Sequence, residues 1–487
     1  MKNITIKFDE LNRRFYVPRS CVVAYSASTM QFTSLTRRTE IGANSYVIRT
    51  GGKSIILDCG LHPVERGMAA TPDYAKVPEG SVDAIIITHA HQDHIGSLPI
   101  LTRREQKARV FITEATSRIG EIMLHNSSNV MARQREAEGI TDYPLFTHRG
   151  IDFSKLMWMP TPVGQPYTVS GERGVGDGSE PTLEFFHAGH ILGSVGVLLR
   201  SPEGKTLFYT GDVNFDRQTL MAPAKFPESD VDILVIETTR GDSPQRPDFT
   251  RGAEEERFAA AILAAFERGG SVTIPVFALG KSQEILALLW GMTQSGQLPE
   301  TPIYIGGLST KVTTAYDHFA GCEDRTHNDL HLLHEVAPYV LSGRDVETIP
   351  AKSGAIFAIS SGMMTENTLS NIWARKILPD PKQSLFFVGY SDPESPAGRL
   401  RRSKPGDDII LHQDLPPVKL RCQVEEFNFS AHSSRERLLE YAVRLAPKKI
   451  VLVHGDQPAI EWFRGELGRK LPNSEVIVPI PGVAHDL

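Results

Sequence analysis

The sequence predicts an α/β protein in which one domain is interrupted by another, and three observations carry that prediction. From the N-terminus to about residue 240, short β-type runs recur between turn signals. From 241 to about 405, strands alternate with amphipathic helices, the texture of βαβ units and a mainly parallel sheet. From 406 onward the first texture returns, so 1–240 and 406–487 are expected as two parts of one domain, with 241–405 inserted between them.

The elements follow in order. Met1 to Phe8 alternates apolar and polar like a strand. Strands are then expected at Ser45 to Ile48, Ser54 to Leu57, Ala84 to Thr88, Val110 to Ile112, Val195 to Leu199, Thr206 to Tyr209 and Ile233 to Ile236. Most end in Asp, His or Glu, so polar chemistry is placed where loops leave a rigid sheet. Helices are expected at Gly96 to Arg104 and Ala115 to Glu138. The glycine-rich stretch Ser170 to Gly178 lacks a following Gly-Lys-Ser/Thr and a helix pattern, so it reads as a mobile hairpin loop and not a phosphate loop. The middle region offers helices at Glu254 to Glu267 and Lys281 to Trp290, with strands at Ser271 to Val276, Ile303 to Ile305, Ala355 to Ile359 and Leu385 to Val388. The last region offers strands at Ile409 to Leu411, Lys419 to Val424, Lys449 to Val453 and a closing Val476 to Val478, with helices at Ser434 to Leu445 and Pro458 to Lys470.

The 487 residues are 40% hydrophobic and 23% charged, enough apolar material for a sizeable core. Lys plus Arg number 52 against 58 Asp plus Glu, a net charge of −6 that excludes a wholly basic nucleic-acid binder; any polyanion must meet a local basic patch. The four cysteines, Cys21, Cys59, Cys322 and Cys422, are far apart with no Cys-x-x-Cys pair, which argues against a disulfide framework and a cysteine zinc ribbon. Apolar runs are strand-sized and no signal-peptide pattern opens the chain. The expectation is a soluble, unprocessed, cytoplasmic protein with no membrane segment.

The strongest chemical signal is Thr88-His89-Ala90-His91-Gln92-Asp93-His94-Ile95-Gly96, on a loop directly after a strand. Three imidazoles and a carboxylate so close together suit zinc, with manganese or iron as alternatives. One such cluster cannot complete two coordination spheres, so more ligands are expected at other strand ends: His190, Asp212 in Tyr209-Thr210-Gly211-Asp212, and His454 in Val453-His454-Gly455-Asp456.

With these residues in place the sequence resembles the metallo-β-lactamase superfamily, and within it the β-CASP nucleases. Asp58 in Leu57-Asp58-Cys59-Gly60, the His89 to His94 cluster, His190, Asp212 and His454 match the superfamily's metal-site motifs. Glu237 in Ile236-Glu237-Thr238-Thr239, His432 in Ser430-Ala431-His432-Ser433, and again His454 match the β-CASP motifs. The likeness spans about 40 to 460 and enters the insert through Pro275 to Glu284, Ser360 to Met363 and Phe387 to Tyr390. It implies a metallo-β-lactamase αββα sandwich with an inserted α/β β-CASP domain.

The resemblance further implies two zinc ions. His89, His91 and His190 would hold one, Asp93, His94 and His454 the other, and Asp212 would bridge them, with Asp58 orienting a ligand imidazole from behind. A metal-bridged hydroxide would attack a phosphodiester. His432, backed by Glu237, would protonate the departing oxygen. Asp93 and Asp212 are thus expected to serve catalysis as well as binding.

Superfamily membership alone does not name a substrate. The insert resembles a lid over a polynucleotide, and histidine at position 454 is similar to RNA-processing members, where the DNA crosslink-repair branch has valine. The expected activity is hydrolysis of single-stranded RNA, as endonuclease, 5′-exonuclease or both; the alternatives are a DNA nuclease in repair or defence and a non-catalytic RNA-binding scaffold subunit. Ser360, Ser361, Arg399, Arg401 and Arg402 are the candidate phosphate contacts, on or near loops after insert strands, with Arg103, Arg104 and Lys107 as alternatives. Arg240 departs from a tyrosine common in relatives. The chain ends soon after the core, so a homodimer or partner subunits are expected to supply further anchoring. His327, His331 and His334 have helical spacing and read as a helix surface, and His187 as a structural residue near the ligands.

Overall fold

The computed structural model describes residues 30–321 and 325–487. The expected strand Met1 to Phe8, Cys21 and Cys322 lie outside the described residues.

Two seven-stranded sheets face each other. The first runs Ala484–Asp486, Gln31–Ser34, Tyr46–Thr50, Lys53–Leu57, Ala84–Ile86, Arg109–Ile112, Trp158–Pro160. The second runs Glu475–Ile477, Lys449–Val453, Ile233–Glu237, Thr206–Tyr209, Val195–Arg200, Thr182–His187, Tyr167–Thr168. Because side chains alternate along a strand, each sheet has two faces to bury. Ile55, Leu57, Ile86 and Phe111 meet Phe185, Val197, Ile233 and Val451 in a core between the sheets. The intervening Ile56, Ile85 and Val110 pack outward with Leu98, Leu101 and Leu124 of helices Leu98–Arg104 and Glu114–Glu138. Leu234, Ile236 and Leu452 pack outward with Leu438 and Phe463 of helices Arg435–Leu445 and Gln457–Lys470. The result is the αββα sandwich.

The insert is built on a six-stranded parallel sheet, ordered Tyr339–Leu341, Ile303–Gly306, Ile356–Ile359, Val272–Pro275, Ser384–Phe387, Gln423–Glu426. Helices cover both faces, as a parallel sheet requires. Phe258 and Ile285 lie on one side, Trp373 and Leu400 on the other. The first of these clusters also takes in Ala90, Ile191, Leu192 and Leu220 of the sandwich, so the insert is seated on the loops that carry His91 and His190. Glu284 reinforces the seat: its buried carboxylate accepts from Thr219 N at 2.8 Å and Leu220 N at 2.9 Å.

Four expectations are corrected. The boundary at 406 is too early, because Gln423–Glu426 pairs in parallel with Ser384–Phe387 of the insert and the chain rejoins the sandwich only after it. The expected strand Lys419 to Val424 is split into Val418–Lys419, paired with Asp408–Ile409, and Gln423–Glu426. The closing strand Glu475–Ile477 is followed by another, Ala484–Asp486, which pairs antiparallel with Gln31–Ser34. His327, His331 and His334 do not share a helix face: the Asp317 carboxylate caps Leu332 N and Leu333 N, starting a four-residue helix Leu332–Glu335 that contains His334 alone, while His327 lies edge-on to Trp290. The stretch Ser170 to Gly178 joins Tyr167–Thr168 to its antiparallel partner Thr182–His187, a hairpin as expected.

Candidate metal centre and active site

Every expected ligand lies on a segment that leaves the end of a strand, and these segments converge between the sandwich and the insert. Asp58 follows Lys53–Leu57 with φ 56°, and His454 follows Lys449–Val453 with φ 50°, two non-glycine residues in the left-handed region, where strain is held by surrounding structure. Hydrogen bonds from Cys59 N to His94 O and Leu61 N to Gln92 O, each 2.7 Å, lay the segment after Asp58 against the histidine cluster. Gly60 is needed there, since a Cβ would stand 1.9 Å from Asp93 O. The cluster itself is a loop only in part: His91 caps a short helix, Gln92–Ile95, that carries Asp93 and His94. The backbone N–H groups of His94 and Ile95 both point to His91 O, which turns the chain into helix at once.

Two groups of potential ligand atoms hold the expected ligands, His89, His91, His190 with Asp212, and Asp93, His94 with His454, and a third brings Asp212 together with Glu237 and His432. In the first, His91 Nδ1 lies 3.1 Å from both His89 Nε2 and His190 Nε2, and Asp212 Oδ2 lies 3.5 Å and 3.7 Å from those two Nε2 atoms. In the second, Asp93 Oδ2 is 3.4 Å from His454 Nε2 and 3.8 Å from His94 Nε2. Asp212 Oδ1 is 3.3 Å from His94 Nε2 and 3.0 Å from His454 Nδ1, so the two oxygens of one carboxylate face different groups.

Proton bookkeeping tests whether a cation fits. The Thr88 hydroxyl donates to the Asp58 carboxylate at 2.9 Å, so it can only accept from His89 Nδ1 at 3.1 Å, leaving His89 Nε2 as a lone pair. His190 Nδ1 donates to Ala431 O at 2.9 Å, leaving its Nε2 as a lone pair too. Both lone pairs are aimed at the same nitrogen of His91, which can offer at most one proton. His94 Nδ1 donates to Asp58 Oδ2 at 2.8 Å and turns its Nε2 toward Asp212 and Asp93. Buried lone pairs facing one another are costly unless a cation lies between them. Ligand atoms held about 2.0–2.1 Å from a tetrahedral zinc stand about 3.3 Å apart, the spacing seen here. The residues fit divalent metal.

The electrostatics agree. Burial, aided by the neighbouring imidazoles, holds His89 and His190 well below the ordinary histidine value, and burial also lowers His91, so all three are neutral donors. For Asp212, burial alone would raise the carboxyl, but His454, His94 and His432 hold it well below the usual range. Burial likewise opposes charge on His454, yet Asp212 and Asp93 push it up to about 10 without a metal; a cation in that place would displace the proton. His432 Nδ1 stands 3.2 Å from Glu237 Oε1, which also accepts from Val213 N at 2.8 Å. Against the burial that lowers it, Glu237 and then Asp212 raise the His432 pKa, and its Nε2 lies 3.9 Å from Asp212 Oδ2.

The comparisons with known proteins meet this geometry. The metallo-β-lactamase superfamily model matches residues 38–262, the β-CASP domain 282–400, and a Zn-dependent metallo-hydrolase RNA specificity domain 417–479. The chain belongs to the β-CASP branch of the metallo-β-lactamase superfamily. It is 27% identical over 447 residues to Endoribonuclease YSH1 of Saccharomyces cerevisiae, covering 88% of this chain and 55% of that one. It is 27% identical over 420 residues to an RNase J-like protein of Methanocaldococcus jannaschii, covering 86% and 90%. The chain thus spans just over half the length of the eukaryotic relatives it matches. In fold it is similar to a protein of unknown function from Enterococcus faecalis V583, at TM-score 0.54 and 14% identity, over 94% of this chain and all of that one. Membership in the superfamily implies divalent metal binding, usually zinc.

Other expected site residues lie apart from this cluster. Ser360 and Ser361 follow the insert strand Ile356–Ile359 and are partly exposed, Ser361 Oγ lying 3.2 Å from Thr365 Oγ1. Arg399, Arg401 and Arg402 are on a helix, Pro396–Arg402, and not on a loop; Ser395 caps it and Pro396 opens it. Arg401 is committed to Gly389 O and the Glu426 carboxylate, Arg402 to Pro393 O and Arg399 to Glu394 O. Of the alternatives, Arg104 is tied to Glu105 and Val77 O. Sequence reading overlooked Thr88, Tyr209, whose hydroxyl donates to Asp58 Oδ2 at 2.8 Å, and Thr239, 3.0 Å from His454 Nδ1. Each stands within three residues or on the same strand end as a motif residue, which is the signal that could have found them.

Proposed function

We infer that this protein is a zinc-dependent ribonuclease that hydrolyses phosphodiester bonds of single-stranded RNA. The observation that carries the reading is Asp212, whose two oxygens face two separate sets of imidazoles while His432, backed by Glu237, stands beside it. The relatives' names, an endoribonuclease and an RNase J-like protein, and the matched RNA specificity domain favour RNA over other esters. When bound, two zinc ions supply Lewis acidity and a nucleophile at neutral pH.

The chain's own residues do the rest. His89, His91, His190 and Asp212 would hold one ion, and Asp93, His94 and His454, with Asp212 beside them, would hold the other. Asp58 fixes the His94 tautomer, and Ala431 O fixes that of His190. Glu237 anchors His432 Nδ1, leaving Nε2 as the atom that gives a proton to the departing oxygen. The insert, seated on the ligand loops, excludes water and guides a single strand into the gap. Ser360 and Ser361 offer hydroxyls to phosphate, while Arg399, Arg401 and Arg402, each tethered, contribute positive field at the rim. Partner subunits or a second copy would extend the anchoring surface. Among the described residues no helix is long and apolar enough to cross a membrane. Cys59 and Cys422 are buried free thiols, in keeping with a reducing cytoplasm.

The test is cleavage of matched single-stranded RNA and DNA, each labelled at the 5′ end, by the zinc-loaded protein. The reading expects RNA alone to be cut, with the product ladder separating endonuclease from 5′-exonuclease action. Cleavage confined to DNA, or of neither by protein holding two metals, would overturn it.

A further inference from the structure

A cleft of about 900 Å³ opens beside His432, between the sandwich and the insert, and none of the seven ligand residues lines it. Five arginines line it against three carboxylates. Three of those arginines are already answered. Arg251 binds Glu284 at 2.7 Å and Glu255 at 2.6 Å, Arg437 binds Asp216 at 3.1 Å, and Arg246 lies 3.4 Å from Glu254. The other two, Arg217 and Arg240, make no side-chain hydrogen bond and no ion pair among the described residues. Arg217 is exposed; Arg240 is half-buried, three residues beyond Glu237, at the place where the sequence departs from tyrosine. Arg240 is partly desolvated and feels the carboxylates of Glu436, Glu237 and Asp216 without a hydrogen bond to any of them, so its planar fork of donors is left for a phosphate. The volume lies in the range of pockets that enclose small organic ligands, so the cleft has room for phosphate, sugar and base together.

We propose that this cleft is a phosphate-binding subsite for single-stranded RNA on the side of the scissile bond that carries the departing oxygen, with Arg240 and Arg217 as its guanidinium contacts. The assignment rests on the ribonuclease reading, because it takes its direction from His432 as proton donor. Arg240 lies nearest the reacting group in the chain and would hold a non-bridging oxygen of a phosphate close to the break; Arg217, farther out on the loop after Asp212, would hold the next. The net charge of −6 makes such a local site necessary for a polyanionic substrate.

The test is equilibrium binding of a fluorescein-labelled single-stranded RNA at a series of salt concentrations, in a His432→Ala background to suppress turnover. Arg217→Gln, Arg240→Gln and Arg240→Lys are compared with that parent. Each Gln variant is expected to weaken binding several-fold at low salt and to reduce the slope of log Kd against log salt by about 0.7 for each phosphate no longer neutralised. Arg240→Lys is expected to keep the slope while binding less tightly. Exposed Arg217 has no partner to disturb, so its variant stands even if Arg240→Gln fails to fold. Parental Kd and slope in both Gln variants would overturn the proposal. Cleavage of the same RNA by wild type, scored separately, reports on the ribonuclease reading: uncut RNA with slopes altered as expected faults that reading and not the cleft.

Discussion

Asp58 Oδ2 accepts a hydrogen bond from His94 Nδ1 at 2.8 Å, and the same carboxylate takes the hydroxyl protons of Thr88 and Tyr209. It thereby decides that His94 offers its Nε2 lone pair to the centre. Asp58→Asn can donate where the carboxylate accepts, and so competes with the His94 Nδ1–H. Metal affinity is expected to fall about 10–100-fold, the usual cost of losing such support. Chelator competition monitored by metal release checks this; an unchanged affinity would show that the pair is only structural.

Asp212 belongs to the first set of ligand atoms, and its other oxygen faces His94 and His454 of the second. Asp212→Ala should therefore leave protein with less than two bound zinc ions and no measurable turnover, read by elemental analysis of the purified variant. Two retained zincs with full activity would remove Asp212 from the account.

His432 touches Glu237 and the edge of the metal site but is in neither ligand set. His432→Ala is expected to keep both metals and lose about 10²–10⁴-fold in kcat, the range of general acid catalysis. A proton donor must be protonated, so the wild-type rate should fall as pH rises through its pKa, and the variant should lack that alkaline fall. The pH profiles of the two proteins, with metal content measured alongside, separate this role from a packing role.

Glu284 joins the insert to the sandwich through Thr219 N, Leu220 N and Arg251. Burial opposes its charge, yet Arg251 and the two backbone donors hold its carboxyl below the ordinary glutamate value. A depressed carboxyl contributes stability that is present above its unfolded pKa, about 4.3, and is lost as pH falls through the folded value. Glu284→Ala should cost about 3 kcal/mol in urea unfolding at neutral pH, and the difference from wild type should shrink below about pH 4. A constant difference down to acid pH would mean that packing, not charge, is lost.

The candidate metal site is legible in the sequence because its proposed ligands are crowded: three imidazoles and a carboxylate follow one strand within six positions, and His190, Asp212 and His454 also follow strands. What it could not show depends on approach in space. Gln423–Glu426 is polar and partly exposed, and only its pairing with Ser384–Phe387 places it in the insert. The run Arg399 to Arg402 reads as free charge until Glu426 and the carbonyls of Gly389 and Pro393 are seen to hold it. Ala431 orients His190 through a carbonyl, which every residue possesses, so no side-chain pattern announces it. His327, His331 and His334 have helical spacing, but the Asp317 cap that decides where helix begins comes from another segment.

The central claim is tested most directly by titrating zinc into chelator-treated protein while following cleavage of single-stranded RNA. Activity should be absent at the start, rise with added zinc and saturate at two equivalents per chain. Full cleavage without added metal, or saturation at one equivalent, would contradict a centre built from two ligand sets that Asp212 faces with its two oxygens.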